Sequence, residues 1–422
     1  MSAAASSILV IVERGPSLGW PNLAAWEWVA LGGLVFALGL LFYTYAGFPL
    51  LMGMLSRLVS PSKKTCREPG KPLEKISVIL CVHNEESKLP GRLENLLSLD
   101  WPLGGEVVVV CDGCTDNSAA VARQVGQQQE AKSIRVVEHP QKSGKPTGIN
   151  AAVQQAEGDV LIFCDARQQF EPSALRHLVT ELGEGNTGAV SGLLRIAKSS
   201  DGASAGFDRY WSLETKLRKW ESDWDSAIGC TGAIYALRKE CFVPLPADTI
   251  LDDVVLPMQA VMQGRRVGYC VDAIAWDPQP LTPEAEYRRK LRTLAGNFQM
   301  LFRHPSWLNP FQNRAWWQLI SHKYLRIASP FVLVLALLCT AVLARHPLFL
   351  TLLFLEFAFI GVGWVAMQSP ALARRIPGAR MLGAFLSMQV TIARGLITYM
   401  RHKKNMLEIW KTGRGGVSGG KE

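Results

Sequence analysis

Residues 107–118, VVVVCDGCTDNS, run from an apolar strand-like stretch into a polar loop that can be taken in two ways. Cys111 and Cys114 have the C-x-x-C spacing of a redox pair or half a zinc site. Asp112 and Asp116 stand instead where a loop leaves the carboxyl end of a strand, the place where open α/β sheets bind ligands. The surrounding elements decide between the two pairs.

Apolar runs alternate with amphipathic stretches on both sides of this loop. KISVILCV (75–82) precedes a helical stretch near 87–98, and EVVVVC (106–111) precedes another near 118–128. SIRVVE (133–138) leads to a helix near 147–156, and DVLIFCD (159–165) to one opening at Pro172. Short Val- and Ile-rich runs between helices of this length predict an α/β fold, a mostly parallel sheet with helices on both faces. The segments just past the four strand ends are HNEE (83–86), DGCTD (112–116), HPQKSGK (139–145) and DAR (165–167). A lone aspartate after a strand is ordinarily a turn or a helix cap. Carboxylates repeated along one rim of one sheet mark a site.

Beyond this domain the chain is apolar. Of 422 residues, 48% are hydrophobic and only 19% charged, a balance poor in charge for a soluble protein. From Trp28 to Ser56 no charge interrupts the sequence, a stretch long enough to cross a hydrocarbon layer. It lacks the basic leader and short apolar region of a signal peptide. Further apolar segments follow at 327–344, 347–367 and 381–400. Basic residues gather after the first span, at Arg57, Lys63, Lys64 and Arg67, so the positive-inside bias places the globular part in the cytoplasm. The net charge of +9 is then read as basic flanks against anionic lipid, not as a nucleic-acid surface. The nine irregularly spaced cysteines are expected to be thiols.

The ordered set of motifs resembles the membrane-integrated, processive-type family 2 glycosyltransferases, among them cellulose, chitin, hyaluronan and bacterial exopolysaccharide synthases. A strand ending in N-E, one ending in D-G-x-x-D, a G-K segment before a helix, a D-x-D-like strand end and a downstream DD pair carry the likeness over about residues 75–300. The resemblance implies a GT-A fold and a UDP-sugar donor. It implies that Asn84 and Glu85 line the uracil pocket, that Asp112 contacts the nucleoside and that Lys145 lies near the diphosphate. Asp165 would hold the metal, Mg2+ or Mn2+, with the diphosphate. Arg167 stands at the second D-x-D position, so either the cation leans on Asp165, phosphate and water, or Arg167 itself supplies charge to the diphosphate. In ILDDVVLPM (250–258), Asp253 aligns with the general base and Asp252 with the preceding glutamate. In YRRKLRT (287–293), Arg289 and Arg292 take the Gln and Arg positions of Q-x-x-R-W, with Thr293 in place of tryptophan. Arg292 would bind the leaving UDP. Gly229, Cys230 and Gly232 fall in the segment that resembles the family's acceptor side, where glycine lets backbone approach a sugar. Against that frame Cys111 replaces the first aspartate of D-D-G and Cys114 takes a variable position, so the aspartates carry the loop's function.

The predicted organisation is an extension (1–27), a transmembrane helix (28–56), a linker (57–74), a cytoplasmic catalytic domain (75–310), an interfacial helix (311–326), membrane-associated helices (327–400) and a basic or disordered tail (401–422). Phe207, Tyr210, Leu213, Leu217, Trp220 and Trp224 share one helix face, expected to be core, with an aromatic wall for sugar rings as the alternative. A full span at 381–400 would put the basic RHKK on the outer side, against the charge rule, so that segment is either re-entrant or interfacial, or sheltered by partner helices. Glu356 and Arg394 are either part of a polymer path or an ion pair between helices. The expectation for the whole is a multi-pass enzyme of the inner (plasma) membrane that extends an exopolysaccharide from a UDP-sugar, with membrane lipids and export-complex subunits as partners. The alternatives are a single transfer to a lipid-linked acceptor, or a catalytically inactive synthase partner.

Overall fold

The computed structural model describes residues 23–58, 72–128, 133–196, 205–278 and 282–412. Most of the expected extension and linker, and the low-complexity tail, lie outside them, as do the side chains of Phe207 and Tyr210. One eight-stranded sheet forms the catalytic domain, in the order β3-β2-β1-β4-β7-β6-β8-β5. Strands β1 (Lys75–Val82), β2 (Gly104–Asp112), β3 (Ser133–His139) and β4 (Val160–Cys164) are mutually parallel. Their Val, Ile and Leu side chains are buried on both faces, which is why these runs read as continuously apolar. Strand β7 (Ile234–Arg238) pairs antiparallel with β4, and β6 (Thr187–Ile196) antiparallel with β7. Strand β8 (Arg266–Asp277) runs parallel to β6, and the two-residue β5 (Gln169–Phe170) closes the edge.

Helices α2 (Leu89–Ser98) and α3 (Ser118–Gln127) follow β1 and β2, and α4 (Lys145–Gln155) follows β3. Helix α5 (Ala174–Gly183) follows β5, α6 (Ala205–Trp224) follows β6, and α7 (Asp252–Met262) precedes β8. One core holds the face that carries α2 and α5, and a second holds the face that carries α4 and α7.

Four helices are long and apolar enough to cross a membrane: α1 (Ala25–Leu58), α9 (Trp316–Leu343), α10 (Pro347–Gln368) and α11 (Ala379–His402). Helix α8 (Pro283–Arg303) precedes them. The membrane helices pack through small residues: a Cβ at Gly33 of α1 would stand 2.9 Å from Cys339 Sγ of α9. Tyr45, Ser329 and Gln389 join α1, α9 and α11 through hydrogen bonds of 2.6–3.0 Å.

Two expectations change in the membrane part. Residues 311–326 do not form a separate interfacial helix, because the helix that starts at Trp316 continues unbroken to Leu343, with a widened π turn at Leu319–Tyr324. Helix α11 turns back onto the catalytic domain: Ile392 belongs to the same core as Ala295 and Phe298 of α8, and Gly395 lies against Leu294. Met406 and Ile409 are buried in that core as well. The basic residues from Arg401 to Lys404 therefore lie on the catalytic-domain side, which removes the conflict with the charge rule. Glu356 accepts from Thr340, and Arg394 donates to Tyr287, so no ion pair joins them among the described residues.

Candidate active site

The four parallel strands deliver their loops to one rim, and the rim is cross-tied by side chains. Asp112, at the end of β2, accepts hydrogen bonds from the Ser143 N–H at 2.7 Å, the Ser143 hydroxyl at 2.6 Å and the Gly144 N–H at 2.8 Å. Burial pushes this carboxyl up, but the Ser143 and Gly144 donors outweigh it and hold Asp112 below the usual range. Gly144 has a φ of 95°, a conformation suited to glycine, and it aims the following residue into the site. That residue is Lys145, whose Nζ lies 3.1 Å from Asp165 Oδ1 and 3.2 Å from Asp252 Oδ2. Burial opposes its charge, while Asp165 and Asp252 outweigh burial and raise Lys145 well above an ordinary lysine.

Asn84 adopts a left-handed φ of 55° and pairs its amide with Thr115 at 2.8 and 3.0 Å. Glu86 binds Asn117 through its carboxylate, and its own N–H donates to Asp116 at 3.0 Å. Asp116 also accepts from Ser118, so it organises the loop from within. Asn84, Glu86 and Asp116 line a shallow cleft between the first two loops. Glu85 turns outward, its carboxylate 2.8 Å from Lys88.

The second half of the site comes from α7 and the loop before β7. A Cβ at Gly232 would stand 2.9 Å from Asp253 Oδ2, and the Cys230 N–H donates to the Asp253 carbonyl at 2.7 Å. Gly229 has a φ of 77° and lies against Val254. The glycines thus admit the backbone to Asp253, a close approach to the protein's own carboxylate. Burial, with Asp252 beside it, pushes Asp253 up to about 6, against the pull of Lys145 and other cations.

The structure brings Asp112, Lys145, Asp165, Asp252 and Asp253 to one rim and places other predicted residues apart. Arg167 pairs with Asp277 at the end of β8 at 2.5 Å, and Gln168 donates to the same oxygen at 3.0 Å. Arg289 and Arg292 are half-buried one turn apart on α8, with Thr293 exposed beside them. Burial lowers Arg289, with Arg167 adding to the effect. Cys111 lies inside β2, where burial pushes its thiol up to about 12, so it supplies no thiolate for redox chemistry. On α6, Leu217 packs with Phe48 and Met52 of α1, and Trp220 lies 3.3 Å from a Cβ built at Gly53. The described part of that face is core against a membrane helix.

Among the described residues no group of three or more His, Cys, Asp or Glu side chains has the geometry to hold a metal by itself. Asp165, with a side chain 43% exposed, fits a cation that arrives on a diphosphate and takes one or two protein carboxylates, the remainder being phosphate and water. Asp277 was not foreseen, and neither were Glu214, Arg218, Glu221 and His322, a buried charged group behind Asp253. The spacing of Glu214, Arg218 and Glu221 along one helix was a visible sign of that group.

This strand order, with its ligand rim at the carboxyl ends, is that of a GT-A domain, and residues 77–243 match Glycosyl transferase family 2. The chain carries a family 2 glycosyltransferase domain. Probable glycosyltransferase YdaM of Bacillus subtilis (strain 168) is 25% identical over 242 residues, covering 55% of this chain and 57% of that protein. The poly-beta-1,6-N-acetyl-D-glucosamine synthase of Staphylococcus aureus (strain COL) is 24% identical over 236 residues, covering 55% of this chain and 56% of that protein. The chain thus spans little more than half the length of these curated relatives. The mannosyltransferase PcManGT from Pyrobaculum calidifontis, solved in complex with GDP-Man and Mn2+, shares the fold with a TM-score of 0.62 at 20% identity. The match covers 87% of this chain and 99% of PcManGT.

Proposed function

We propose that this chain is an inverting glycosyltransferase of the inner membrane, its catalytic domain cytoplasmic, which moves a sugar from a UDP-sugar onto the growing end of an exopolysaccharide. The observation that carries this reading is the meeting of Lys145 and Asp165 with the Asp252–Asp253 pair on one rim. That meeting sets a cation suited to a diphosphate beside a carboxylate suited to an acceptor hydroxyl. Asn84 and the Asp112 loop hold the nucleoside, and Lys145 and Arg292 meet the diphosphate. When bound beside Asp165, Mg2+ or Mn2+ neutralises charge on the leaving diphosphate. The acceptor oxygen attacks C1 of the donor sugar while Asp253 takes its proton. The C1–O bond to the diphosphate breaks, UDP departs with the electron pair, and the configuration at C1 inverts. An aspartate at about 6 is ionised at neutral pH and more basic than an ordinary one, which suits a general base.

The test uses full-length protein in lipid nanodiscs with single UDP-sugars and Mg2+ or Mn2+, recording UDP release and product size, with Asp253→Asn as control. Release with a long, glycosidase-sensitive product supports the reading. A second reading, one transfer to a lipid-linked acceptor, is favoured by Thr293 at the position where processive relatives carry tryptophan. Release with only a short lipid-linked product would select it. No release from any donor would reject both.

A further inference from the structure

Behind Asp253 the sheet and the membrane helices are joined by buried charge. His322, in the π turn of α9, is 1% exposed and places each ring nitrogen against a carboxylate of α6. Nδ1 is 2.7 Å from Glu221 Oε1, and Nε2 is 3.0 Å from Glu214 Oε1. A ring that donates on both sides is the doubly protonated form. Glu214 also accepts from Arg326 at 2.9 Å and from Arg218 at 3.3 Å. Burial works against the Glu214 charge, but His322 and Arg326 overcome it and hold the carboxyl well below its usual range.

The cluster leads to the site. Arg218 NH1 donates to Thr231 Oγ1 at 3.3 Å, and the Thr231 N–H donates to Ser191 at 2.9 Å. The next residue, Gly232, is the one whose Cβ would meet the Asp253 carboxylate. At its other end the π turn is pinned to α1, because Tyr43 hydroxyl pairs with Ser321 at 2.8 Å and accepts from Trp317 Nε1 at 2.7 Å. Apolar side chains of similar volume would fill this space at equal or lower cost, so stability does not account for the charges. π turns inside α-helices are found mostly at functional sites.

We propose that His322, Glu214 and Arg218 are positioning residues that tie membrane helix α9 to the Thr231–Gly232 loop and thereby set Asp253 against the acceptor. This rests on the transferase reading above. The catalytic domain then has a finished donor side of its own, while its acceptor side is completed by the seating of α9.

The experiment uses full-length protein in nanodiscs, with Glu214→Gln, His322→Gln, Arg218→Met and Arg218→Lys. Three quantities are read: kcat for UDP release, calorimetric Kd for UDP with Mg2+, and thiol labelling of Cys230, resolved by mass spectrometry with Cys164 as reference. We expect kcat to fall about tenfold or more in Glu214→Gln and Arg218→Met, with UDP affinity within about twofold and partial recovery in Arg218→Lys. Cys230, now 3% exposed and bonded to Asp253, should label faster in the same variants while Cys164 does not. Unchanged Cys230 labelling in all variants overturns the proposal, whatever the turnover. So does a loss of UDP affinity in step with kcat, which is what general loosening would cause. If wild type releases no UDP from any donor, the transferase reading fails, and Cys230 labelling still judges the coupling.

Discussion

On the donor rim, Asp112 finds its partners at Ser143 and Gly144, 31 and 32 residues further on. On the acceptor side, Glu214 finds His322 and Arg326 at separations of 108 and 112. The donor side is built by neighbouring loops of one parallel sheet, each delivered by its own strand. The acceptor side is built by α6, α7 and a membrane helix, which share no strand order that would bring them together. The first kind of site tolerates changes elsewhere in the fold; the second depends on how the domain sits on its membrane helices. The two sides should therefore respond differently to substitution, the donor side in affinity and the acceptor side in turnover.

The largest expected effect separates them most cleanly. Asp253→Asn removes the carboxylate that accepts the acceptor's proton, while the Cys230 N–H still meets the unaltered backbone carbonyl. Loss of a general base costs roughly 10²–10⁴ in rate, and UDP release should fall by about that factor with UDP affinity unchanged. Stopped-assay UDP detection beside calorimetry checks both halves. A parallel fall in UDP affinity would mean that Asp253 belongs to the donor side.

Lys145→Met should act the other way round. Its Nζ stands between Asp165 and Asp252, and without it two carboxylates face the incoming diphosphate uncompensated. We expect UDP to bind about ten- to a hundredfold more weakly, a loss of roughly 1.4–2.8 kcal/mol. A titration of UDP with Mg2+ measures it. Added Mg2+ or Mn2+ should recover part of the loss, and EDTA should remove it again in wild type and variant alike.

What could be read beforehand follows the same division. The runs 75–82, 106–111, 133–138 and 159–165 announce β1–β4 because a strand buried on both faces is apolar along its whole length. Once those strands are parallel, the rule that ligands meet their carboxyl ends places Asp112, Lys145 and Asp165 together. No such rule places His322 beside Glu214. In sequence His322 sits in WWQLISHKYLR, which reads as an amphipathic segment at a membrane surface, and only the packing of α9 on α6 turns it inward. Asp277 was hidden for a related reason, since it ends an irregular strand whose register shifts twice against β6. Asp116 shows the opposite error: a carboxylate on the right rim whose oxygens are taken by Ser118 and the Glu86 N–H.

Acidity offers a third way to divide the sides. Burial, with Asp252 beside it, raises Asp253 from an ordinary aspartate to about 6, so the base is ionised above that pH and protonated below it. Turnover should therefore fall about tenfold per unit as pH drops below about 6. Asp112 is held below the usual carboxylate range and stays charged throughout, so the loop it ties is intact over this interval. A kcat profile between pH 4.5 and 8, with UDP affinity measured at each point, tests the pair. A limb near pH 4 would mean that Asp253 is more solvated in the working enzyme than its burial implies.

The smallest expected effect concerns Arg167, where the D-x-D pattern fails. Its guanidinium is spent on Asp277 at 2.5 Å, and Gln168 supports the same oxygen. An arginine neutralised in this way adds little to the field at a diphosphate, whereas a free one held against phosphate would form a strong charge-assisted pair. Arg167→Met should change UDP affinity by less than about threefold, below 0.7 kcal/mol, and leave the Mg2+ requirement unaltered. Its cost should appear instead in stability, since Asp277 is 4% exposed and would keep only Gln168 as its partner from this loop. A tenfold loss of UDP affinity with an unchanged melting midpoint would reverse the assignment. It would mean that Arg167 leaves Asp277 when the donor binds and stands in for the missing carboxylate's cation.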